Sequence, residues 1–274
     1  MESGVISRGS LIKIVVPLVI GSLLEPIASV IDNAFVGRIS TDWLAALAFG
    51  TMILSSVSWV FNFIIHVTTE SISKVFGSGN IRKLIEVTQV SLILAVTIGL
   101  LSVFLFYIFQ GQLFKLIGVK KEVYQLAKDY FLTRLYGHPF TILFLATISL
   151  LRGVSRVNTS MLLLLFSTIV NAVLNYLFLY VFELGIDSVA WGTNISMAAG
   201  FSIGIIIYFK SIKFNNFFRL RKFPTAVFFQ FSSASRKAKF SSVLNHEGRV
   251  STERYRFIFF TLLQDNKKIK INCR

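Results

Sequence analysis

The residues best equipped for chemistry in this chain are polar groups set inside long apolar runs. Between residues 11 and 36, Gly21 and Ser22, Glu25, Ala28 and Ser29, and Asp32 recur every three to four positions. That spacing puts small and acidic groups on one face of a helix. Between residues 160 and 182, Ser167, Asn171 and Asn175 recur at i, i+4 and i+8. Carboxylates and carboxamides placed this way bind a proton or a small cation, or hydrogen-bond a neighbouring helix. An acid at the centre of a membrane helix costs about 2.5–3.5 kcal/mol on insertion scales, so two acids on one face argue for a wet or protein-lined interior. Asp32 has a second reading as a residue of the outer membrane interface, because Arg38 follows closely. The amides also have two readings, as interhelical glue worth under ~1 kcal/mol each or as part of a polar cavity.

The elements that must position these groups are membrane helices. The chain is 54% hydrophobic and 15% charged over 274 residues, and the apolar residues come in runs. Runs of ~20 residues at 1.5 Å each match a ~30 Å hydrocarbon layer. The pattern predicts an all-α membrane protein with about six spans, near 11–36, 43–66, 87–109, 126–150, 160–182 and 187–209. Connections read as short, apart from the polar stretch 68–86 and the stretch 110–125. Pro17 stands ~22 Å along the helix from Asp32 at 1.5 Å per residue, and its missing N–H suits a bend or hinge. In the last span Gly192, Ser196, Gly200 and Gly204 form a small-residue row that admits a close backbone; Thr193 and Asn194 lie beside it, available to a cavity. Ser55, Ser58, Asn62 and His66 share one side of the second span, with His66 at an interface. Gly137-His138-Pro139 reads as a kink, and Arg134, a turn earlier, snorkels or pairs with a neighbouring carboxylate.

Charge and composition exclude several functions. The net charge of +15 would suit nucleic acid, but residues 214–274 hold 13 of the 28 Lys and Arg and only three of the 13 acids. The chain therefore divides into a six-helix unit, 1–213, and a Phe- and Ser-rich basic tail, 214–274. The tail reads either as an irregular segment adsorbing to anionic lipid or as disordered, frameshift-derived sequence. A lone Cys273 and three scattered histidines argue against a metal centre. No Ser/His/Asp order and no paired acids suggest an enzyme, and "GSGN" at 77–80 lacks the Lys-Ser/Thr of a P-loop. The first apolar run exceeds the ~7–15 residues of a signal-peptide core, so it reads as an uncleaved span. Arg8, Lys13, Lys74, Arg82, Lys83, Arg152, Arg156, Lys210 and Lys213 fall on one side, against Arg38, Lys115, Lys120 and Lys121 on the other. By the positive-inside rule both ends are cytoplasmic.

With these residues in view, the chain resembles the N-terminal half of the multidrug and toxic compound extrusion (MATE) transporters, nearest their DinF-like branch. The likeness rests on "PLVIGSLLEPIASVIDNAFVGRISTDWLAALAFG" (17–50), "VFGSGN" (75–80), "LIGVKKEVYQLAKDYFLTRLYGHPF" (116–140), "LLRGVSRVNTSMLLLLFSTIVNAVLNYLFL" (150–179) and "GIDSVAWGTNIS" (185–196). It implies a two-lobe, twelve-helix exporter in a bacterial inner membrane, of which this is one lobe, driven by Na⁺ or H⁺ and needing no other cofactor. The resemblance assigns the cation or proton site to Asp32, Asn171, Asn175 and Thr193. It implies a small organic cation as substrate, and no metal beyond Na⁺ at Asp32. Asn175 stands where several relatives carry a second acid, so coupling would rest on Asp32, with Glu25 as an auxiliary acid. Half a two-lobe cavity does not alternate access alone; either a homodimer rebuilds two lobes or the chain is a fragment. The alternatives are a lipid-linked saccharide flippase of the same superfamily, and a non-transporting membrane protein whose basic tail binds lipid or a partner.

Overall fold

The computed structural model describes residues 8–212; the tail at 214–274 lies outside the described residues. The description that follows concerns the compact unit that begins at Val16. The helices are α1 (Arg8–Gly37), α2 (Thr41–Gly77), α3 (Ile81–Ile117), α4 (Lys121–Tyr136), α5 (His138–Gly153), α6 (Val157–Tyr176) and α7 (Asp187–Ser211). A π-helical turn, Leu177–Val181, follows α6. No strand occurs among the described residues.

Among the described residues, four helices are long and apolar enough to cross a membrane: Val15–Gly37, α3, α6 with its π turn, and α7. The bent pair α4 and α5 makes a fifth if counted as one span, and Thr41–Ser55 of α2 is a shorter apolar helix. The expected all-α membrane fold is therefore present.

Two expectations about connections are corrected. Residues 68–86 are not a loop but the end of α2 and the start of α3, separated only by residues 78–80, and 110–125 is the end of α3 and the start of α4, separated only by residues 118–120. Hydropathy detects only the apolar part of a helix. The polar turns persist because Lys74 pairs with Glu70 and Arg82 with Glu86, both i,i+4, a spacing that supports helix in water.

Local chemistry stops and starts the helices. The Ser40 hydroxyl accepts from Asp42 N and the Asn80 side chain from Lys83 N, satisfying amides at the starts of α2 and α3. Gly118 ends α3 with φ +76°, the left-handed conformation that glycine adopts without a Cβ penalty. The span read over 126–150 is broken at Gly137, where α4 and α5 meet at 49°. Pro139, in the first turn of α5, has no N–H to continue the α4 ladder.

Packing centres on α2, α5 and α7. α5 packs on α2, α3 and α7, and α7 also packs on α6 and α4. The small residues of α7 pack closely, though against side chains and not the expected backbone: a Cβ on Gly200 would lie 2.6 Å from the Phe144 ring, and one on Gly204 2.5 Å from Leu163. α1 is different. Val16, Val19, Leu23, Ile27 and Val30 are exposed along it, and it has no extensive packing against another helix among the described residues.

Glycines offer a clean test of this packing. A Cβ on Gly50 in α2 would stand 2.5 Å from Tyr130 Cδ1, whereas one on Gly111 in α3 would meet nothing within 4 Å. Gly50→Ala is expected to destabilise the bundle by ~1–3 kcal/mol through overpacking. Gly111→Ala should be neutral or stabilising by up to ~1 kcal/mol through helix propensity. Thermal unfolding of the purified variants in detergent distinguishes the two.

Candidate functional site

The two stripes singled out in the sequence meet. Asp32 on α1 reaches α6, where the fully buried Asn175 donates from Nδ2 to Asp32 Oδ1 at 2.7 Å. One turn back, Asn171 lies between Asp32 and α7. In the amide orientation that satisfies both of its ends, the Asn171 nitrogen donates to Asp32 Oδ1 at 3.0 Å and its oxygen accepts from Thr193 Oγ1 (3.1 Å) and Thr193 N (3.3 Å). Asp32, Asn171, Asn175 and Thr193, the four residues expected to form one site, thus form one hydrogen-bonded cluster joining α1, α6 and α7.

Gly192 seats the cluster. Asn175 Oδ1 is buried without a hydrogen-bond partner, and a Cβ on Gly192 would stand 2.3 Å from it. The bare backbone of α7 accommodates this carbonyl, which leaves Nδ2 facing Asp32. Burying a polar atom unpaired costs about 1–3 kcal/mol, so the seat keeps the amide in an orientation that stabilises Asp32 at the expense of its own oxygen.

The end of α1 is tied down nearby. The Tyr180 hydroxyl, on the π turn after α6, donates to Phe35 O at 2.8 Å. That carbonyl is released where α1 ends, since Ile39 N and Ser40 N both turn to Val36 O. The Phe35 ring packs on Tyr180 and Tyr176 at centroid distances of 5.9 and 6.5 Å. α1 is thus attached to α6 through Asp32 and Phe35, three residues apart.

A positive charge faces the cluster from α4. Arg134 Nη1 donates to Asn194 Oδ1 at 2.9 Å and to Thr141 Oγ1 at 3.1 Å. Its guanidinium stands within electrostatic reach of Asp32 and of Tyr130 without a direct ion pair to either. Tyr130 in turn shares a 3.3 Å hydrogen bond with Thr51 on α2. The sequence reading of Arg134 as snorkelling or paired to a carboxylate is corrected: it turns inwards, and its direct partners are Asn194 and Thr141.

Other expected residues separate from the cluster. Ser167, third member of the amide stripe, donates to Ser196 O on α7 at 3.2 Å and acts as interhelical glue. α1 stays helical through Pro17 and Pro26. Glu25 is on α1, but its side chain lies outside the described residues, as do those of Ser58 and Asn62. His66 is exposed. Among the described residues no group of three or more His, Cys, Asp or Glu could hold a metal. The sequence did not single out Gly192 as a seat or Tyr180 as a tether. Gly192 was legible only as part of a small-residue row, and Tyr180 as one aromatic among several.

A bundle of apolar helices that sets a half-buried carboxylate against buried amides defines a membrane protein with a polar site inside its spans. The MatE family model matches residues 17–177 of the 274, and the chain belongs to this family of membrane transporters. Among curated relatives it is similar to the multidrug export protein MepA of Staphylococcus aureus (strain bovine RF122 / ET3-1), 25% identical over 70% of this chain and 43% of that protein. It is also similar to the probable multidrug resistance protein NorM of Oceanobacillus iheyensis, 26% identical over 62% of this chain and 38% of that one. Among solved structures, the bent form of the Vibrio cholerae MATE transporter VcmN superposes with a TM-score of 0.73 at 19% identity, covering 92% of this chain and 61% of that one. A MATE transporter in the bent conformation gives 0.67 at 23% identity, covering 72% and 44%. The chain spans less than half the length of the curated relatives it matches.

If Gly192 acts by orienting Asn175, their substitutions cannot add. Gly192→Ala and Asn175→Ala should each destabilise the protein by about 1–3 kcal/mol. The double variant is expected to be no less stable than the worse single, by thermal unfolding of all four proteins. Additive losses would separate the glycine from the amide.

Proposed function

We propose that this chain is one lobe of a cation-coupled antiporter that exports small organic compounds, with Asp32 as the coupling-ion site and Asn171, Asn175 and Thr193 as its cradle. The observation that carries the reading is the cluster on Asp32 Oδ1, which serves both charge states of the carboxyl group. When Asp32 is ionised, Asn175 and Asn171 both offer it N–H donors. When Asp32 is protonated, a half-turn of the Asn171 amide presents its carbonyl to the new O–H and its N–H to the Thr193 hydroxyl 3.1 Å away. In hydrocarbon an unmade hydrogen bond is costly, so a carboxyl group that changes charge is suited by an amide neighbour that can offer it either a donor or an acceptor.

The same chemistry favours a proton over Na⁺. Sodium needs several oxygens directed at it, but Asn175 directs an N–H, its oxygen is seated on Gly192, and Arg134 adds a positive charge nearby. Discharge of Asp32 weakens one of the two polar ties of α1. Because α1 is otherwise lightly packed, this helix is the element that moves, with Pro17 as its hinge. A second lobe, within one polypeptide or from a second copy of this chain, supplies the opposite wall of the substrate cavity. The substrate is a small organic cation, and the setting is a bacterial inner membrane with both termini of the lobe cytoplasmic.

The test is export of a fluorescent organic cation, ethidium, from energised cells or into everted vesicles carrying this chain. Asp32→Asn is expected to abolish export driven by a pH gradient, while the variant still inserts and elutes as wild type from a sizing column. Replacing Na⁺ by choline should leave wild-type export unchanged. Undiminished export by Asp32→Asn would sink the coupling role, and a strict Na⁺ requirement would overturn the choice of proton.

A further inference from the structure

Residues 192–194 of α7 face two places at once. Gly192 seats the Asn175 carbonyl and Thr193 bonds Asn171, both on the Asp32 side. The next residue, Asn194, reaches the break between α4 and α5. In a continuous helix the Thr133 carbonyl would accept from the amide four residues on, but Gly137 N turns to Leu135 O instead. Asn194 Nδ2 takes up the freed Thr133 carbonyl at 2.7 Å. Asn194 Oδ1 accepts from Arg134 Nη1 at 2.9 Å, and the same nitrogen donates to Thr141 Oγ1 at 3.1 Å, beyond the break.

Room for this arrangement comes from Gly137, where a Cβ would lie 1.9 Å from Asn194 Cγ. Asn194 is buried. One amide therefore satisfies a broken helix and holds a guanidinium in place, and that guanidinium crosses to Thr141 on the other helix of the pair.

We infer that Gly192-Thr193-Asn194 is a coupling element that transmits the state of the Asp32 cluster to the break in the fourth span, with Asn194 and Arg134 as positioning residues. The inference rests on reading Asp32 as the ion site. Two physical links join the ends. Asn171 bridges Asp32 Oδ1 and Thr193, the residue adjoining Asn194 on a rigid helix, so a change of charge at Asp32 that turns this amide exchanges acceptor for donor at Thr193. Neutralising Asp32 also removes the countercharge facing Arg134, and a charge left uncompensated in a low-dielectric interior draws in water or moves. The latch at the break is weakest when Asp32 is neutral. The sequence shows why these positions go together: a glycine that breaks a span, an arginine three residues before it, and an asparagine next to the site threonine.

The experiment is amide hydrogen exchange of the full chain in lipid nanodiscs, read on peptides covering residues 133–141. Asn194→Ala is expected to speed exchange there by about tenfold or more, the scale of a lost hydrogen bond to a charged group. Asp32→Asn alone should speed it severalfold. In the double variant, Asp32→Asn should add nothing, because the latch through which it acts is gone. Thr141→Val, which removes only one bond of Arg134, should give a smaller acceleration and provides the same cycle if Asn194→Ala does not fold. No response of the break to Asp32→Asn, or accelerations that multiply in the double variant, would overturn the inference. Exchange needs no transport, so the outcomes separate. Normal export by Asp32→Asn with the expected exchange cycle removes the ion-site reading alone. Lost export with a break indifferent to Asp32 removes the coupling element alone.

Discussion

The hydrogen bond from Asn175 to Asp32 is the interaction on which the arrangement of this helical bundle depends. It joins α1, which has little other attachment, to α6, and it does so with a carboxyl group that hydrocarbon would otherwise expel. Each neighbouring feature follows from keeping that contact supplied with partners. Gly192 makes room for the far side of the amide, Thr193 and Asn171 complete the near side, and Arg134 balances the charge from α4. Remove the requirement to satisfy buried polar groups, and none of these residue types would be needed where it is.

The break in the fourth span obeys the same constraint. A bend in a membrane helix frees backbone carbonyls that lipid cannot solvate, so its position is limited to places where another helix brings a donor. Asn194 is that donor for Thr133. The end of α1 repeats the solution with a tyrosine hydroxyl on the Phe35 carbonyl. Two irregularities of the backbone are thus each closed by a side chain from an element far along the sequence, which gives the bundle its long-range order.

Much of this was legible before any coordinates. Six apolar runs, the Gly137-His138-Pro139 interruption, the Asp32 face and the Asn171–Asn175 stripe all express periodicity or chain chemistry, and these are local properties. What could not be read is which faces meet and how closely. The small-residue row on α7 signalled close approach, but at Gly192 the neighbour is an amide of α6 and not a backbone. The polar ends of α2 and α3 escaped notice because hydropathy measures affinity for lipid, and helices continue beyond the membrane. Ser167 shared its stripe with the site amides yet turned to the α7 backbone, since a helical face spaces residues evenly while its neighbours do not.

The π turn at Leu177–Val181 has a consequence for how this sequence can change. A wide turn accommodates an extra residue in the helical register, and the Tyr180 side chain takes its direction from that surplus. Deleting one residue there would restore ordinary winding and rotate Tyr180 by about 100°, carrying its hydroxyl away from Phe35 while leaving composition and hydropathy almost unchanged. The end of α6 therefore tolerates substitution more readily than a change of length, and homologous sequences that share the tether should preserve the count of residues between Asn175 and Tyr180 even where the residues between them differ.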